Sequence, residues 1–128
     1  MYKLEFLGDN NFYLKVIGNF PPTVAETFKD EFLKKTEDLD SFSVIVDLSN
    51  ADLVRLSSID IILDLLKENN KKLTKSAYII IHNPPLSEEL KYVIEEAKSP
   101  KRKIVKSLKE AKKWIGIKDV IIHREDSE

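Results

Sequence analysis

The sequence predicts an α/β fold, with a mostly parallel sheet of four or five strands that opens on a β-hairpin and carries four helices. Three observations predict it. Short apolar runs alternate along the chain with segments of helical period, the central apolar runs are continuous as in strands covered on both faces, and turn or cap residues separate one segment from the next. A length of 128 residues suffices for one domain with a sizeable core.

Tyr2 to Leu7 and Phe12 to Ile17 are rich in aromatic and branched residues, and Gly8-Asp9-Asn10-Asn11 between them tolerate left-handed backbone, so the chain should open as a hairpin. After Pro21-Pro22, Thr23 and Glu26 have capping-box spacing, and Val24, Ala25, Phe28 and Phe32 share one face of a helix running to about Thr36. Val44-Ile45-Val46 is too short for a helix and reads as a strand from Ser43 to Leu48, ended by Ser49-Asn50. A second helix begins near Ser57 or Ser58. Its broad apolar arc of Ile59, Ile62, Leu63 and Leu66, widened by Ile61 and Leu65, suits a helix lying flat on a sheet.

Ala77 to Ile81 is the next buried strand, and His82-Asn83-Pro84-Pro85 launches a third helix with Leu86, Leu90, Val93, Ile94 and Ala97 at helical spacing. Lys98-Ser99-Pro100 stops it, and Lys103 to Lys106 is a short strand around Ile104-Val105. Ser107 and Glu110 form another capping box, for a final helix that buries Leu108, Ala111 and Ile115 and ends at Gly116. The domain thus spans residues 1–116. Residues 117–128 are an extension in which Ile117 to His123 is a further candidate strand, expected to pair at a sheet edge in its own subunit or, as a homodimer, in a second one.

Composition narrows the chemistry. There are no cysteines, so disulfides, thiol catalysis and cysteine-ligated metals are excluded, and two histidines leave little for a metal site. No apolar run reaches the ~20 residues of a membrane span, and a cytoplasmic protein is expected. The net charge of −1 conceals an asymmetry. From Lys98 to Lys113, eight lysines and arginines face one acid, Glu110, giving +7 there and leaving −8 for the rest. Lys101, Arg102, Lys103, Lys109 and Lys113 are the candidates for a basic surface, whose default reading is a solvated face. No nucleic-acid motif accompanies them, and a membrane surface is the weaker choice beside an acidic protein.

The strand Val44 to Ser49, the serine pair in Leu56-Ser57-Ser58 opening a helix, and the final helix beginning Ser107-Leu108-Lys109-Glu110-Ala111 together resemble the STAS domains. That family includes the bacterial anti-sigma factor antagonists and the related SpoIIAA-like proteins. The resemblance implies a SpoIIAA-like fold and a non-enzymatic regulatory module that binds a protein partner, an anti-sigma kinase or another regulator. It further implies that a serine at the start of the second helix is phosphorylated to block binding, which makes Ser57 and Ser58 the candidates. A phosphate there would meet free helix amides and the positive end of the helix dipole. Ser57 with Asp60 also fits a helix cap, which explains a serine without regulation.

Open parallel sheets bind ligands beyond the carboxyl ends of their strands. Those ends place Ser49, Asn50, Asp52, Arg55, His82 and Asn83 as candidates for contacting a partner or ligand. The second reading is accordingly a SpoIIAA-like protein that binds a small molecule or lipid in that cleft. Against it stands the plainer assignment of Phe28, Phe32, Ile62, Leu66, Leu90 and Ile94 to the core. Ser57, His82 and Asp47 have the residue types of a hydrolytic triad, but no Gly-x-Ser-x-Gly elbow or phosphate loop accompanies them, so neither an enzyme nor a cofactor is expected.

Overall fold

A computed structural model describes residues 1–52, 56–81, 83–98 and 100–117. β1 (Tyr2–Gly8) and β2 (Asn11–Gly18) form the predicted hairpin. Gly8, Asp9 and Asn10 all have φ between 50° and 88°, the left-handed backbone that glycine, aspartate and asparagine adopt most readily. Next come α1 (Pro22–Thr36), β3 (Phe42–Ala51), α2 (Leu56–Asn69), β4 (Leu73–Ile79), α3 (Pro84–Ala97), β5 (Arg102–Val105) and α4 (Leu108–Ile115), in the predicted order. The C-terminal candidate strand lies outside the described residues beyond Ile117.

The strands stand in the order β1-β2-β3-β4-β5, antiparallel between β1 and β2 and parallel thereafter. A sheet that never reverses direction, built with right-handed crossovers, puts every crossover helix on one face. Accordingly α1 packs on α2 and α2 on α3, while α4, which follows the last strand, crosses to the other face over β3, β4 and β5. Alternation along each strand then supplies two cores. Phe12, Leu14, Val44, Tyr78 and Ile80 meet Phe28, Phe32, Leu65, Leu86 and Leu90 under α1 to α3. Tyr13, Ile45, Ala77, Ile79 and Val105 meet Leu108, Ala111 and Ile117 under α4.

Helix ends follow local chemistry, with two departures from expectation. The Ser107 hydroxyl accepts from the Glu110 amide at 3.1 Å, the expected cap of α4, and Gly116 closes that helix at φ 87°. At α1, however, Thr23 is not a cap. Pro22 occupies the first helical position, where its missing N–H and preset φ suit a helix start, and no side chain caps the end. At α2 the helix already begins at Leu56, so Ser57 lies in the first turn instead of preceding it. β4 also starts earlier than its apolar run, because Thr74 and Lys75 extend it through exposed positions.

β1 is held to the helical layer by Tyr2, whose hydroxyl donates to Glu31 Oε1 at 2.6 Å and whose ring packs edge-on against Phe28. Burial, the hydrogen bond and the Glu31 charge push its pKa up to about 12 from 10.0. The unfolded chain therefore loses this proton first, and the stabilisation present below pH 10 is lost as pH rises toward 12. In urea titrations from pH 8 upward, stability should fall across that window, and Tyr2→Phe should flatten the fall; an identical slope in the variant would refute the assignment.

Candidate functional site

The carboxyl ends of β2 and β3 and the first turn of α2 are tied into one rim. The Asp52 amide donates to the Gly18 carbonyl at 2.8 Å, and Ser58 Oγ donates to the Phe20 carbonyl at 2.7 Å. Asn83 completes the rim from the other side. Its Oδ1 caps α3 by accepting from the Leu86 amide at 3.3 Å, and its Nδ2 reaches the Ala51 carbonyl at 3.5 Å. Below the rim, Asp47 is 0% exposed and its carboxylate accepts from Tyr13 Oη at 2.5 Å and from Ser49 Oγ at 2.6 Å. The Ser49 amide adds a third bond at 3.0 Å. These bonds tie β2 to β3 through Tyr13 and fix Ser49 near the end of β3, a positioning role that the residue types of a triad did not disclose.

The predicted site residues fall into separate environments. Ser57 is exposed in the first turn of α2, and Asn50 and Asp52 are exposed at the end of β3, with Ser49 half-buried beside them. Ser58 is different: it is 0% exposed and its hydroxyl is spent on Phe20, so of the two candidates for phosphorylation it is the one sealed in the fold. Arg55 and His82 lie outside the described residues. Tyr13 was missed as a partner of Asp47, because an aromatic in a strand reads as core whether or not its hydroxyl has work to do.

The basic tract is likewise divided. Lys103, Lys109 and Lys113 are exposed. Lys101 is half-buried, its Nζ donating to the Asn70 carbonyl at 3.1 Å. Arg102 does not belong to the surface at all. It is 7% exposed, because β5 turns it toward the helical face, and its guanidinium donates to Tyr78 Oη, the Leu66 carbonyl and Asn70 Oδ1. On the opposite face Trp114 spans the sheet edge. Its Nε1 donates to the Ser76 carbonyl at 3.0 Å, while Lys75 and Lys103 place their Nζ atoms 4.3 and 5.1 Å from the ring centre. Lys75 lies outside the charged tract, so counting along the sequence could not pair it with Lys103.

Among the described residues no cluster of three or more His, Asp or Glu side chains is placed to hold a metal, and no helix is long and apolar enough to cross a membrane. Between the sheet and α1 to α3 lies an apolar cavity of about 110 Å³, bordered by Val44, Leu48, Ile59, Leu65, Leu86 and Leu90 among others. The aromatic and branched residues assigned to the core thus pack the sheet as expected and also leave a space between them.

No family model matches the chain, and no curated protein matches it in sequence. Solved structures do match its fold. An uncharacterised protein of the DUF3478 family with a SpoIIAA-like fold, from Shewanella loihica PV-4, superposes with a TM-score of 0.69 at 15% identity, over 89% of this chain and 91% of that one. An anti-sigma factor antagonist from Mycobacterium paratuberculosis gives 0.65 at 14% identity, over 93% and 94%. The anti-sigma factor antagonist SpoIIAA in its unphosphorylated form gives 0.57 at 9% identity, over 86% and 92%. The chain therefore has the SpoIIAA-like fold, along nearly its whole length.

Proposed function

We propose that this SpoIIAA-like domain is a non-enzymatic regulatory module that binds a protein partner through the rim formed by the end of β3 and the first turn of α2, under control of phosphorylation at Ser57. The observation that carries the reading is the contrast within the serine pair. Ser58 is buried and anchors the helix to Phe20, while Ser57 beside it is exposed on a turn where helix amides lack helical acceptors. A phosphate on Ser57 would be stabilised by those amides and by the helix dipole, and its charge would stand on the surface a partner would cover. The fold shared with anti-sigma factor antagonists supports a partner of the anti-sigma kinase type or another cytoplasmic regulator in a bacterial cell.

The test is a pair of substitutions on a residue whose exposure spares the fold. Ser57→Asp should release a partner that the wild-type chain and Ser57→Ala both retain, with affinity falling about tenfold or more, while thermal stability changes little. Peptide mapping by mass spectrometry should find phosphate on Ser57 and none on Ser58. Equal retention by Ser57→Asp, or phosphate confined to another residue, would remove this assignment.

A further inference from the structure

Two buried side-chain polar atoms are left without a hydrogen-bond partner among the described residues, Ser76 Oγ and Arg102 Nε. They are neighbours: Ser76 and Arg102 are register partners across β4 and β5. Tyr78, two residues along β4, lies on the same face and accepts from Arg102 Nη1 at 2.9 Å, which leaves its own hydroxyl proton without an acceptor among the described residues. Three donors are therefore unspent at one place, Ser76 Oγ–H, Tyr78 Oη–H and Arg102 Nε–H. Tyr78 and Arg102 both border the 110 Å³ cavity.

The charge is as unbalanced as the hydrogen bonding. The groups that receive Arg102 are a phenol, a backbone carbonyl and an amide oxygen, all neutral. A guanidinium buried to this degree normally has a carboxylate or phosphate beside it, because desolvating an uncompensated charge is costly. Glu89 borders the cavity from α3 but is engaged in an interaction of its own. No carboxylate among the described residues receives Arg102, and what adjoins the cluster is apolar space.

We infer that the cavity is a binding site for a small aliphatic monocarboxylate, with the carboxylate on Arg102 and Tyr78 and the hydrocarbon among Val44, Leu65 and Leu90. An apolar cavity of about 150 Å³ takes up benzene, with six carbons, so this smaller one of about 110 Å³ suits a chain of about four carbons. A carboxylate is favoured over a phosphate because the Tyr78 hydroxyl and the free guanidinium N–H of Arg102 supply one donor to each of its two oxygens, and because a dianion would leave a second charge unmatched. Phe20, Ile59 and Leu86 border the same cavity beneath the Ser57 rim, but the head-group residues Arg102 and Tyr78 take no part in that rim. The site adds a ligand to the domain whatever binds at the rim.

Calorimetric titration of the full chain with butanoate and with 1-butanol separates the head-group contribution from the chain contribution. Butanoate should bind at least about tenfold more tightly than butanol. Arg102→Met should abolish that preference while butanol binding persists, and Val44→Phe, which fills the space and leaves the donors in place, should weaken both ligands. Should Arg102→Met fail to fold, Tyr78→Phe removes the other donor and should narrow the preference. Equal affinity for the two ligands in the wild type, or no heat with butanoate up to about 100 mM, would overturn the inference and assign the unspent donors to buried water.

Discussion

Phe32→Ala is expected to lower the unfolding free energy by about 4 kcal/mol, read as a shift of the urea midpoint at constant slope. Phe32 is 4% exposed, and its ring meets Phe12, Phe28 and Phe42 at centroid distances of 5.6, 5.5 and 5.2 Å. Truncation removes all three contacts together with the transfer free energy of the ring. The backbones of α1, β2 and β3 are held by their own hydrogen bonds and cannot close the gap. Since domains of this size have about 5 to 15 kcal/mol in hand, the variant should sit near the edge of folding at 37 °C. A loss below about 1.5 kcal/mol would mean that the aromatic cluster relaxes around the missing ring.

The second large effect belongs to Asp47→Ala, expected to cost about 3 kcal/mol. Removing the carboxylate takes from the Tyr13 hydroxyl, in a position only 4% exposed, the acceptor it donates to, and takes from Ser49 the acceptor of both its hydroxyl and its amide. Tyr13→Phe tests the mechanism by a double-mutant cycle. In the Asp47→Ala background it should cost much less than in the wild type, because the hydroxyl it deletes is then already without its acceptor. Additive losses would show that the two side chains act independently.

These cases indicate how far the residues could be read before the structure. The order of all nine elements was legible, because apolar residues recur at helical period or gather in short runs, and most breaks carry glycine, proline, asparagine or a cap. The starts of α1 and α2 were not. Thr23 and Ser57 are both good caps by type, but Pro22 is better at a first helical position, and α2 gains one residue at Leu56. Arg102 was misread as surface for a sharper reason. In Arg102-Lys103-Ile104-Val105 each face of the strand receives one basic and one apolar residue, so alternation gives no hint of which arginine or lysine turns inward. The cavity was invisible for a related reason, since residues that border a space have the same types as residues that fill one.

The rim around Ser57 was legible in part. Exposed Asn50 and Asp52 follow from a polar run at a strand end, while the division of labour between Ser57 and Ser58 needed the three-dimensional distance from Ser58 to Phe20, across 38 residues of chain.

The strand order β1-β2-β3-β4-β5 has a consequence for biosynthesis. Because position in the sheet equals position in the chain, no strand must be inserted between two that are already paired. As the polypeptide emerges from the ribosome, the hairpin offers one edge to β3, β3 offers one to β4, and β4 to β5, each after a delay of a single helix. Growth by addition at one edge keeps loop closures short and leaves one growing edge at a time, beside the constant outer edge of β1.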